Sequence, residues 1–298
     1  MRKKIVIAGG AGFLGQALER HFTSLGWTVD ILTRNPKQNN HIVWNGHELG
    51  SWSKCLDGCN VLINLCGQSV DCRYTAENKK RILDSRIIPT LLLNKAMRQC
   101  TNPPTLFLNA SSSTVYIHSE HQPMSEKEGI MGLDFSMSIV RAWENAFFQE
   151  ELEGTRKVSL RTSIVLGNKG GAWPKLKKII KLGLGGQQGT GTQMVSWISE
   201  SDFCRSIEHI INTKYLEGPI NITSPSAISN KSFMRKLSEH LKPLIRIPQP
   251  KWLLELGAVF MRTETELLLK SRYVMPERLL NSDFEFEHLN VEDLFPAK

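Results

Sequence analysis

Residues 4–15 read KIVIAGGAGFLG, a short β-branched run that breaks into glycines and opens the amphipathic segment LGQALERHF. Such a run reads as a buried strand, and the segment after it carries helical periodicity. Glycines stand at 9, 12 and 15, with Gly10 as an extra. A glycine pattern is weak evidence alone, but between a strand and a helix it is specific. Gly9 permits the tight turn, Gly12 lets the backbone approach a pyrophosphate, and Gly15 lets helix and strand pack closely. The first helical N–H groups, around Phe13 and Leu14, then face the phosphates. This is a corner built to hold a dinucleotide.

The same alternation continues downstream. Strands are expected at 28–34, 60–66, 105–112 and 158–166, with helices near 13–25, 75–99 and 136–152. Their hydrophobicity is continuous, not alternating, which implies burial on both faces and a parallel sheet covered by helices. After Gly167 come the glycine-rich loops GNKGGAWPK and GLGGQQGTG, then a strand–helix pattern, then one more strand at GPINIT, 218–223. The fold class is α/β, a Rossmann-type doubly wound parallel sheet with a smaller C-terminal lobe. Residues 1–167 would form the dinucleotide-binding domain, with 195–224 returning to it. Residues 168–194 and 225–298 would form the substrate-side lobe, containing a helix at NKSFMRKLSEHL and a proline linker at 247–250.

Which dinucleotide is bound depends on the end of the second strand, LTRNPK. A carboxylate there binds a ribose 2′-hydroxyl, whereas an arginine accommodates a 2′-phosphate. Thr33 and Arg34 hold that place, and Lys37 could assist. Asp30, the rival carboxylate, sits mid-strand. NADP(H) is expected over NAD; the alternative is that Arg34 is a surface residue at a strand terminus.

A chain of 298 residues with 41% hydrophobic and 22% charged residues is ordinary for a globular protein. No apolar run reaches the ~18 residues of a membrane span. The basic start superficially resembles a signal peptide, but the glycines that break it argue against one. The six cysteines form no CxxC pair and have no histidine at zinc-ligand spacing, so no metal is expected and free thiols in a cytoplasmic protein are. The net charge of +8 is densest at residues 173–183, where Lys175, Lys177, Lys178 and Lys181 interrupt apolar positions. This reads as a solvated helix face. Without a recognition motif no nucleic-acid partner is expected, and positive potential suits a small anionic ligand. A monomer or homodimer is expected.

The segments AGGAGFLG, NLCGQSV, RYTAENKKRILDSRIIPT, NASSSTVY, AWENA, LRTSIVLGNKGGA, GLGGQQGTGTQMVSWISESD and MPERLLNSDFEF are idiosyncratic and run nearly end to end. In them the chain resembles the extended short-chain dehydrogenases/reductases of the NAD(P)-dependent epimerase/dehydratase superfamily, in particular an atypical "epimerase family" subgroup with a small C-terminal domain. The resemblance implies NADP as cofactor and, by analogy, a nucleotide-sugar-like substrate. It places Leu65, Cys66 and Gly67 beside the adenosine-side ribose, Ser111 near the cofactor, and Ser112 as the serine that polarises the substrate. In one departure, Ser199 stands where the subgroup has a histidine in SWIHxxD.

The superfamily moves the carbinol proton with a tyrosine, helped by a lysine four residues later that lowers the phenol pKa. This chain has no such pair: Asn78, Glu120, Pro219 and Glu277 follow its four tyrosines at that spacing. Counting from Trp143–Glu144, Ser136 and Val140 occupy the tyrosine and lysine places. Losing general acid–base help costs about 10²–10⁴ in rate. Tyr116 is one substitute, unless it is an aromatic packed under the substrate loop; Glu126 and Glu128 are others. Arg73, Lys79 and Arg86 could clamp an anion or could be solvated helix charges. Two readings stay open: an NADP(H)-dependent epimerase, dehydratase or reductase, or a non-catalytic NADP(H) sensor.

Overall fold

In a computed structural model, residues 2–255, 264 and 266–295 are described. The first half runs β1 (Lys4–Ala8), α1 (Phe13–Ser24), β2 (Thr28–Thr33), β3 (His41–Val43), β4 (Val61–Asn64), α2 (Ala76–Met97), β5 (Leu106–Ser112), α3 (Phe135–Phe148) and β6 (Arg156–Thr162). The second half runs β7 (Ile164–Gly167), β8 (Gly170–Gly171), α4 (Trp173–Lys181), β9 (Met194–Val195), β10 (Trp197–Ser199), α5 (Glu200–Asn212), β11 (Gly218–Ile222), β12 (Ile228–Ser229) and α6 (Asn230–Leu241). Short helical turns follow at Glu266–Leu269 and Glu277–Leu280.

Seven strands form one sheet in the order β11-β6-β5-β4-β1-β2-β3, and every pairing in it is parallel. The chain winds outward from β1 to β3, then returns to the other side of β1 to lay down β4. Ligands bind at such a reversal, outside the carboxyl ends of the strands. Successive side chains point to opposite faces. Thus Ile5 and Ile7 pack with Leu18, Phe22 and Ile207, while Val6 and Ala8 pack with Leu62, Leu93, Phe107 and Phe147. Both sets are buried, as their continuous hydrophobicity implied.

Three features differ from expectation. The stretch 158–166 is not one strand: it divides at Ser163, and β7 leaves the large sheet to pair in parallel with β10. β3 is a three-residue edge strand whose half-exposed side chains carry no strong strand signal. The segment 195–224 returns to the large sheet through β11 only, since β10 stays with β7 and β8.

A third core lies beneath α4 and α6, where Trp173, Ile180, Trp197, Phe233 and Leu237 meet. The lysines of α4 lie on its exposed side, and Lys175 pairs with Asp71. All six cysteines are free. No helix among the described residues is long and apolar enough to cross a membrane.

Candidate active site

A cleft of about 770 Å³ opens at the reversal point between β1 and β4. Its walls include Gly9, Gly12, Thr33, Arg34, Leu65, Cys66 and Gly67, seven of the residues expected there from sequence. Gly9 has φ +70°, and a side chain on it would strike Cys66 Sγ at 2.9 Å. A Cβ at Gly12 would meet nothing within 4 Å, leaving the backbone open to a ligand. A Cβ at Gly15 would lie 2.1 Å from the Gly10 carbonyl oxygen, so only glycine lets α1 start this close to the turn. Gly10 itself presses on Ile7 and Ile31. Gly12 is the N-cap of α1 and its first turn has no side-chain cap, which leaves N–H groups for an anion. These residues fit a pyrophosphate.

Phe13, Leu14 and Gly15 do not line the cleft. The Phe13 ring lies against Gly167, Gly170 and Gly171, and Leu14 packs on the core. Only their backbone N–H groups remain to serve a ligand. The Phe13 contact also explains the glycines of the GNKGG loop, which has room for an aromatic ring and nothing more.

Arg34 is exposed on the cleft rim with Lys37, His41 and Arg81 in the same wall. Asp30 is engaged elsewhere, 2.9 Å from Lys4 Nζ. Cys66 N–H donates to Asn64 Oδ1 at 3.1 Å, while Asn64 Nδ2 donates to Asn109 Oδ1 at 2.7 Å and Thr90 Oγ1 at 3.0 Å. This buried ladder sets the path of residues 65–67. Burial pushes the Cys66 thiol up to about 12, although Arg34 pulls the other way, so the thiol stays neutral.

The far end of the cleft is built around α3. Ser112 ends β5 half-buried and donates to Thr114 Oγ1 at 2.8 Å. Ser111, expected near the cofactor, points to the opposite face of the sheet and donates to Glu144 Oε1 at 2.6 Å. Strand alternation is the reason. Glu144 also binds Arg161 through two hydrogen bonds of 2.9 and 2.8 Å and accepts from Ser159 at 3.0 Å. Tyr116 completes this network. Only 1% exposed, its hydroxyl donates to Asn221 Oδ1 and accepts from Arg161 Nη1, both at 2.9 Å. Burial raises its phenol pKa despite Arg161. Tyr116 is thus packed inside the protein, away from the cleft wall. Glu126 is drawn under the same region, accepting from Asn221 N–H at 2.8 Å, and burial raises its carboxyl; Glu128 is exposed.

Ser136 begins α3 and donates to Glu266 of the C-terminal segment. Lys270 reaches the same carboxylate and Asp134, each at 2.6 Å. The three anion candidates separate. Arg73 lies 3.5 Å from Glu264, Lys79 sits 4.7 Å above the Phe135 ring, and Arg86 is wedged between Gly67 and the Trp143 ring. A carboxylate and a lysine from the C-terminal segment thus meet the serine in the place where a tyrosine was missed.

Residues 5–135 match the NAD dependent epimerase/dehydratase family, and 249–295 match a domain of unknown function, DUF1731. The chain is 30% identical over 288 residues, 95% of each protein, to human epimerase family protein SDR39U1. It belongs to the NAD-dependent epimerase/dehydratase family. The crystal structure of human SDR39U1 (isoform 2) with NADPH superposes with TM-score 0.88 at 27% identity, covering 98% of this chain and 97% of that one. A structure of MoeE5 in complex with UDP-glucose and NAD shares the fold at 19% identity and TM-score 0.75, covering 98% and 96%.

Within this family framework, sequence reasoning missed Gln16, Ser69, Arg81 and Ser85, which line the cleft from α1, the loop after β4 and α2. Arg81 sits in the quoted run RYTAENKKRILDSR and could have been singled out there. Glu266 and Lys270 carried no signal, since nothing local ties them to Ser136.

Proposed function

We propose that this protein is an NADPH-dependent epimerase, dehydratase or reductase acting on a nucleotide-sugar or similarly anionic substrate. The observation that carries the cofactor choice is Arg34 at the rim, with Lys37 and Arg81 beside it and Asp30 already tied to Lys4. The structure of human SDR39U1 with NADPH supports the same choice. In this reading Gly9, Gly12 and the start of α1 hold the pyrophosphate, and Thr33 and Arg34 hold the 2′-phosphate end. Leu65, Cys66 and Gly67 flank the ribose, and residues 168–194 and 225–298 form the substrate-side lobe. When bound, the nicotinamide supplies or accepts hydride. Ser112 polarises the substrate oxygen, and Glu266, held by Ser136 and Lys270, is the group placed to take or give the proton. Tyr116 and Ser111 brace the site from behind, through Arg161 and Glu144.

Arg34→Asp should weaken NADPH binding about 10–100-fold, the worth of a charge-assisted hydrogen bond, and NADH binding much less. Equal losses would remove Arg34 from this role. With a panel of sugar nucleotides, NADPH turnover abolished by Ser112→Ala would support the enzyme. Tight NADPH binding with no turnover would favour the sensor.

A further inference from the structure

Two guanidinium groups beyond the cleft stand without a carboxylate in ion-pair contact among the described residues. Arg86, on α2, donates only to the Ile82 carbonyl at 2.9 Å and to Ser85 Oγ at 3.4 Å. It is fixed in place, its guanidinium carbon 5.2 Å from the Trp143 ring and 3.2 Å from where a Gly67 side chain would begin. Arg272 follows the Glu266 turn, its backbone N–H donating to the Met194 carbonyl at 2.8 Å. Its side chain donates only to the Ser271 carbonyl, at 3.2 Å.

Tyr74 lies within electrostatic reach of both. Its ring packs edge-on to Phe135 at 4.9 Å, and its backbone N–H donates to Glu264 at 2.9 Å. Its hydroxyl is buried and meets no hydrogen-bond partner among the described residues. Burial pushes this phenol up to about 12, with Glu266 adding to the shift, so it remains a neutral donor. Burial pulls Arg86 down to about 10 and lowers Arg272, the signature of cations taken from water without full compensation. Buried groups of this kind are normally paired. Here two cations and a donor converge with no acceptor between them. Arg73 and Lys270, by contrast, already have Glu264, Glu266 and Asp134.

We propose that Arg86, Arg272 and the Tyr74 hydroxyl form the subsite that takes an oxyanion of the substrate, a phosphate or a carboxylate, at the α3 end of the cleft. The proposal rests on the functional reading above in placing substrate at this end. A guanidinium fork matches either group in two-point geometry, and the phenol adds a third donor. Arg86 comes from the dinucleotide-binding half and Arg272 from the C-terminal segment, so a bound oxyanion would tie the two together.

The test is calorimetric titration of NADPH-saturated protein with inorganic phosphate and, separately, malonate. Saturation by phosphate alone assigns a phosphoryl group, and by malonate alone a carboxylate; either supports the subsite. Arg272→Gln should weaken that binding at least about tenfold, and Tyr74→Phe about two- to fivefold, as for loss of a charged and a neutral donor. NADPH affinity should change less than about twofold in Arg272→Gln, since the cofactor does not use that donor. Arg86→Gln should behave like Arg272→Gln; should its packed site prevent folding, Arg272→Lys, which keeps charge but loses the fork, should still weaken binding. No saturable binding of either anion, or unchanged affinity in Arg272→Gln, overturns the subsite. If NADPH fails to bind at all, the functional reading falls while the subsite is still read by the same titrations on Arg34→Ala protein, where the cleft rim no longer competes for anions.

Discussion

At the adenosine-side end of the cleft, backbone geometry over a dozen consecutive residues does the work: a left-handed Gly9, an open Gly12 and a Gly15 that admits the turn. At the α3 end, side chains far apart in sequence meet in polar contacts. Glu144, Arg161, Tyr116 and Asn221 form one group, and Ser136 and Glu266 join across 130 positions. The first end tolerates no added carbon, and the second tolerates no lost partner. One binds by presenting N–H groups; the other by balancing buried charge.

This contrast can be tested at both ends. The largest effect is expected from Glu144→Gln, which leaves the Arg161 guanidinium buried without its carboxylate. Removing one partner of such a pair costs about 3–5 kcal/mol of folding stability, measurable by urea denaturation. A loss under about 1 kcal/mol, the scale of a surface pair, would mean that water reaches the network.

Gly15→Ala should come next. Its methyl would lie 2.1 Å from the Gly10 carbonyl, so the turn must move. Overpacking of this kind costs about 1–3 kcal/mol, and NADPH affinity should fall with it. A variant of full stability and full affinity would show that the corner adapts, and the contrast between the two ends would disappear.

The smallest effect belongs to Glu266. Burial alone would raise its carboxyl, but hydrogen bonds from Lys270 and Ser136 and the charges of Lys270 and Arg272 outweigh burial and hold it below the ordinary value of 4.5. A depressed value in the folded state contributes stability that is complete above 4.5 and fades as pH falls through the folded value. Because the group is more than a third exposed, screening keeps this under about 1 kcal/mol. Glu266→Gln should therefore flatten the fall in melting temperature below pH 4.5 while hardly changing stability at neutral pH. An unchanged acid slope would place the acid sensitivity elsewhere.

The two ends also differ in how far they could be read in advance. Gly9, Gly12, Thr33, Arg34 and residues 65–67 were legible because strand ends and turns are local, and parallel topology brings successive strand ends to one edge. Ser111 was harder: its neighbour Ser112 was placed at the strand end correctly, yet the alternation that turns Ser111 toward Glu144 depends on which face α3 covers. Tyr116 stood in the right stretch of chain for chemistry, but the loop that seals it closes through Asn221 on β11, more than a hundred residues later. The strand at 158–166 looked unbroken because both of its halves are apolar; only pairing with β10 shows where it leaves the sheet.

The amino-acid order was enough to establish a parallel α/β sheet, a glycine corner for a pyrophosphate, an arginine at the second strand end and the absence of a tyrosine–lysine pair. These are short-range properties, governed by dihedral freedom and by the spacing of apolar residues. Which groups replace the missing pair, and which arginines stand without a carboxylate, emerged only from the folded arrangement. Burial and partnership belong to the whole packed chain: a charge is exposed or costly according to what distant segments bring against it.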